Sequence, residues 1–91
     1  MVWGVASMYD DYFTFRSVTT AMRGSRILEA LGIASLTVRT PKQLQQQGCG
    51  YSLRVRSDAV ARARQALRQA EIRYSRIYRK DEDGQWREVT E

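Results

Sequence analysis

The residue in this chain best suited to covalent chemistry is Cys49, set in the run Gln47-Gly48-Cys49-Gly50. A thiolate is the nucleophilic form of cysteine, and a glycine on each side leaves the sulfur sterically open. Arg39, Lys42 and Arg54 lie nearby in sequence, and any of them aimed at the sulfur would favour its charged form. The chain has one cysteine and no histidine. An internal disulfide, a Ser-His or Cys-His pair and a metal site of the usual ligand set within one chain are therefore excluded. The rival reading is a cysteine buried as a small hydrophobe, a common fate of a free thiol. On residue types alone, both readings stay open.

The 91 residues suffice for one domain with a thin core, which leaves little room for a deep cleft. No apolar run approaches the roughly 20 residues that span a bilayer, and the start lacks the basic flank of a secretory signal. A lone thiol suits a reducing compartment, so a cytoplasmic location is expected. The net charge of +5 raises the question of an acidic partner but does not bear on fold.

Several elements must position the cysteine. Residues 11–15 alternate as a strand, with Phe13 and Phe15 on one side and Tyr12 and Thr14 on the other. Ser17 is placed to cap a helix over 18–31 whose apolar residues are Val18, Ala21, Met22, Leu28 and Leu31, with Gly32 as its stop. Gly24 inside it suggests close packing against the sheet. A second strand over 33–39 is expected to turn Leu36 and Val38 inward and Thr37 and Arg39 outward, ending at Thr40-Pro41. A polar loop follows, with one helical turn around Leu44, and then a clean strand over 51–56 with Tyr51, Leu53 and Val55 inward. Ser57 or Asp58 is expected to cap a second helix with the stripe Val60, Ala63, Leu67 and Ala70. A last strand over 73–79 precedes an acidic turn at Asp81-Glu82-Asp83-Gly84. The order strand-helix-strand-strand-helix-strand predicts an α+β, ferredoxin-like βαββαβ domain: a four-stranded antiparallel sheet with two helices on one face. Residues 1–10 are expected to be a flexible leader, 11–80 the domain, and 81–91 an arm or short hairpin with Trp86 packed against it.

Phe15-Arg16-Ser17 leading into the first helix, Thr40-Pro41 after the second strand, Leu44, Cys49-Gly50 before the third strand, and Ile77-Tyr78-Arg79 occur in this order. In these features the chain, from about Tyr12 to Arg79, resembles the selenium/sulfur (Se/S) carrier-like family of small bacterial and archaeal domains. The resemblance implies a carrier without turnover of its own, which holds sulfur or selenium on the cysteine as a persulfide or selenopersulfide. Cys49 is the residue to which that role transfers. It also implies a donor enzyme and an acceptor protein as partners, and no cofactor. Members often have serine after the loop leucine, where this chain has Gln45.

Around Cys49, the residues expected to form the site are Gly48, Gly50, Arg39, Lys42 and Arg54. Arg62, Arg64, Arg68, Arg73, Arg76 and Arg79 crowd the C-terminal half, as a solvated surface or a docking face. A nucleic-acid reading would use Tyr12, Arg39, Arg54, Arg56, Tyr74, Arg76 and Tyr78 on an open sheet face. The third strand lacks the paired aromatics of an RNP1 motif, so nucleic acid is not the expected partner. A regulatory or partner-binding module with a structural cysteine, able to form a homodimer, is the main alternative. No membrane partner is expected.

Overall fold

The computed structural model describes residues 10–89, without the side chains of residues 46 and 47. The expected leader over residues 1–10 lies outside this range except for Asp10. The elements are β1 (Asp10–Phe15), α1 (Val18–Ala30), β2 (Leu36–Arg39), a 3-10 segment (Lys42–Gln47), β3 (Tyr51–Arg56), a 3-10 turn (Ser57–Ala59), α2 (Val60–Gln69), β4 (Ile77–Lys80) and β5 (Trp86–Glu88). All pairings are antiparallel, in the order β2-β3-β1-β4-β5. The α+β class and the split βαβ order are as expected. The sheet, however, has five strands rather than four. The acidic turn returns the chain through Gly84 at φ 81°, and Trp86 meets Tyr12 edge to face at 5.2 Å.

Alternation on the central strands builds the core. Phe13 pairs with Leu53 and Ile77, and Phe15 with Tyr51, so these residues share one face. Both helices cover that face, through Ala21 and Leu28 of α1 and Ala63, Ala66 and Leu67 of α2. Val18, Met22 and Leu31 are exposed, and the buried stripe of α1 runs through Ala21, Gly24 and Leu28 instead. A Cβ at Gly24 would stand 3.1 Å from Leu53 Cδ1 and 3.2 Å from Leu67 Cδ2, so the glycine lets α1 sit close to both.

The expected orientation of β2 is reversed. Leu36 pairs with Arg54 and Val38 with Ser52, on the face away from the helices, while Thr37 and Arg39 pair with Leu53 and Tyr51. Leu36 is 57% exposed. Register with β3 sets the orientation of this edge strand, and at an edge an apolar residue gains little from pointing inward. Ser17 caps α1 as expected, accepting a hydrogen bond from the Thr20 amide at 3.3 Å. At α2 neither Ser57 nor Asp58 caps, because a 3-10 turn leads in and Ser57 donates to Asp11 at 2.7 Å. Asp11 is wholly buried at a core-facing position of β1, where Arg79 of β4 grips it through Nε at 2.7 Å and an NH2 group at 2.9 Å.

Candidate functional site

In this topology β3 and β4 flank β1 and run opposite to it, so both begin where β1 ends. Cys49 lies two residues before β3 and Ser75 two residues before β4. Ser75 is fixed by its amide, which donates to Thr14 O at 2.7 Å, while the Thr14 amide donates to Arg76 O at 2.9 Å. Across the end of β1 the Cys49 thiol donates to Ser75 Oγ at 3.1 Å.

The segment holding the cysteine is closed by local hydrogen bonds. The 3-10 segment buries Leu44 and ends at Gly48, whose φ of 77° lies in the left-handed region. The Gly48 amide donates to Gln45 O at 3.0 Å, and Gln45 Nε2 donates to Thr40 O at 2.6 Å. Gln45 thus ties this segment to the end of β2. The Thr40 amide donates to Gly50 O at 3.0 Å, and the hydroxyls of Thr40 and Ser52 lie 2.7 Å apart.

The flanking glycines do not expose the sulfur, as the sequence suggested they would. Cys49 is only 2% exposed. A glycine frees the backbone but does not choose the direction of its neighbour's side chain, and here the closed loop turns the thiol inward. Its polar partner, Ser75, is exposed, so one hydroxyl separates the buried sulfur from the surface.

The expected cations divide into two groups. Arg54 is held by Asp10 at 2.7 Å, and that hydrogen bond raises its pKa above the usual arginine value. Asp10 begins β1, so Arg54 is committed at the end of the strand away from Cys49. Arg39 lies at the cysteine end, with its guanidinium 5.2 Å from the ring centre of Tyr51. Lys42, which begins the 3-10 segment, is exposed, and among the described residues neither cation donates a hydrogen bond to the thiol.

Sequence reasoning missed Ser75; it named Arg73 only as part of a basic surface and Arg16 only as part of the turn into α1. Arg16, Ser17, Thr20, Arg73, Tyr74 and Ser75 line a hollow of about 370 Å³ at the start of α1. Among the described residues neither Arg16 nor Arg73 has a carboxylate partner. Nothing local marked Ser75, which the sequence placed inside a strand over 73–79, whereas β4 begins at Ile77.

On the open face Tyr12, Arg54, Arg56, Arg76 and Tyr78 lie largely as the nucleic-acid reading supposed. Arg39 instead shares the helix-side face with Tyr51, and Tyr74 packs edge to face on Phe13 at 5.1 Å. Arg54, Arg56 and Arg76 are balanced by Asp10, Asp58 and Glu88. Lys80, over the Trp86 ring at 5.7 Å, is the cation of that face for which the described residues give no carboxylate partner, and one such charge offers little to a phosphate backbone. Among the described residues no helix is long and apolar enough to cross a membrane.

Fold and site together define a small α+β domain built around one sheltered thiol. The model of the family described as "Putative Se/S carrier protein-like" matches residues 10–79, and the chain belongs to that family. No curated protein and no solved structure matches it.

Proposed function

We propose that this chain carries a sulfur or selenium atom on Cys49, accepting it from a donor enzyme and passing it to an acceptor protein without turnover of its own. The observation that carries the reading is the pairing of the one thiol, 2% exposed, with an exposed hydroxyl at 3.1 Å in a member of this family. A persulfide is easily reduced and exchanged, so a carrier benefits from a sulfur that is closed between transfers and opens on docking. Loading needs the thiolate, whose proton leaves to water. The thiolate then attacks the outer atom of the donor's persulfide. A bond forms from Sγ to that atom, the donor's S–S bond breaks, and the donor cysteine leaves as a thiolate with the bonding pair. No oxidant is consumed. Ser75 can serve both states of the sulfur, because its hydroxyl accepts from the thiol and can rotate to donate to the thiolate. A thiol that must stay reduced between loadings suits the cytoplasm.

The burial of Cys49 also favours a second reading, a partner-binding module in which the cysteine fills the end of the core. Incubation with a cysteine desulfurase and cysteine separates the two. The carrier reading expects a gain in mass of one sulfur atom, removed by reductant and absent in Cys49→Ser. A Cys49→Ser protein that gains the same mass, or a wild type that gains none, supports the module.

A further inference from the structure

We infer that the hollow at the start of α1 binds a small tetrahedral oxyanion of the sulfate or phosphate class, and that Ser75 couples its occupancy to Cys49. The binding itself does not depend on the carrier reading; its meaning as a site beside the carrier thiol does.

The lining supplies two kinds of group. Arg16 and Arg73 are guanidinium groups, and each can place a fork of N–H donors on a tetrahedral anion. Thr20 and Ser75 add hydroxyls on the same wall, and among the described residues no carboxylate lines the hollow. The nearest acid in sequence to Arg73, Glu71, lines an adjoining hollow that Arg73 also borders, and the two form no ion pair. The charge pattern of the described molecule points the same way. Asp10, Asp11, Asp58, Asp81 and Glu88 are each tied to arginines of the sheet or its flanking turns. Arg16 and Arg73 keep their charge uncompensated by any described carboxylate, so an anion would supply the missing partner. The guanidinium pair, more than the end of the helix, makes the hollow an anion site, because Ser17 already accepts from the Thr20 amide.

Ser75 provides the coupling. Its oxygen accepts from the Cys49 thiol, and a hydroxyl keeps one donor of its own. Among the described residues that donor has no partner, and Ser75 is exposed on the wall of the hollow. An oxyanion there would take this hydrogen bond and complete a chain from thiol to hydroxyl to anion. Polarisation along the chain strengthens the hold on the thiol.

The probe is sodium sulfate titrated into the full chain at constant ionic strength, followed by the amide NMR shifts of Thr20 and Ser75. Saturable shifts are expected. Arg16→Gln and Arg73→Gln should each weaken sulfate about tenfold, the loss of one charge-assisted contact. Arg62→Gln, which lines a different hollow, should leave it unchanged. Sulfate should slow alkylation of Cys49 by iodoacetamide at least about twofold through the shared hydroxyl, and Ser75→Ala should abolish that slowing. Non-saturating shifts, or an affinity unmoved by both Arg16→Gln and Arg73→Gln, overturn the site. An alkylation rate indifferent to sulfate overturns the coupling. Cys49→Ser should bind sulfate normally, so failure of the anion site and failure of sulfur loading are read separately.

Discussion

Replacing Gly48 with alanine should speed chemical labelling of Cys49 without touching the sulfur, whereas the same change at Gly50 should do little. Gly48 sits at φ 77°, and a Cβ built there meets nothing within 4 Å. The penalty is therefore backbone strain alone, about 1 kcal/mol for a side chain placed in the left-handed region. Gly50 also has open space for a Cβ but lies outside that region, so alanine is accommodated without strain. Because Cys49 is 2% exposed, a reagent must wait for the segment over it to open. Raising the closed state by about 1 kcal/mol multiplies the open population about fivefold, the factor that such an energy represents in an equilibrium. The assay is the rate of alkylation by excess iodoacetamide, with urea-unfolded protein as the reference for a free thiol. Wild type should label far more slowly than the reference, Gly48→Ala about fivefold faster than wild type, and Gly50→Ala within a factor of about two of wild type. Labelling of the folded wild type at the unfolded rate, or equal rates for the two glycine variants, would refute the reasoning.

Three further outcomes follow from packing and charge. Gly24→Ala should gain about 1 kcal/mol of helix propensity yet lose more to crowding against Leu53 and Leu67, for a net loss of about 1 kcal/mol by urea denaturation; a net gain would mean that the leucines yield freely. Arg79→Met should cost about 3 kcal/mol, because it strands the wholly buried Asp11 carboxylate. Asp11→Asn should cost less, since Arg79 is 36% exposed and can rehydrate; the reverse order in chemical denaturation would contradict this. The hydrogen bond from the Gln85 amide, the largest cause, holds Asp81 below the usual carboxylate range, with Arg87 helping. A lowered folded pKa means that the contribution is present above the unfolded value and is lost as pH falls through the folded one. Amide exchange at Gln85 should therefore accelerate under acid, relative to the core amides, in wild type but not in Asp81→Asn.

How much of this was legible depended on whether a residue's neighbours were local. The alternation of Tyr51, Leu53 and Val55 fixed the inner face of β3, because a central strand covered by helices has one apolar side. The same pattern misled at Leu36 and Val38, where the edge strand takes its orientation from pairing with Arg54 and Ser52. Asp11 shares the parity of Phe13 and Phe15, and that was a readable sign of a buried charge. Its partner Arg79, however, lies 68 positions away and is supplied by sheet order. The site followed the same division. Cys49 and the family likeness were visible, whereas its glycines were read as opening the sulfur, and the left-handed turn at Gly48 instead closes the loop. The cysteine's burial and its contact with Ser75, 26 positions on, come from β3 and β4 both starting beside the end of β1 and leave no local mark. Arg54 was misplaced for a related reason. Nearness in sequence along a strand separates residues by about 3.3 Å per step, and five steps carry it away from the thiol toward Asp10.

The most direct test of the carrier claim is to locate the transferred atom. After exposure to a persulfide-bearing donor, the chain is alkylated with a reagent that preserves persulfides, digested and mapped by mass spectrometry. One extra sulfur on the peptide containing Cys49, released by dithiothreitol, is the expected result. An unmodified Cys49 peptide, from a thiol that alkylates fully once the chain is unfolded, would contradict the claim.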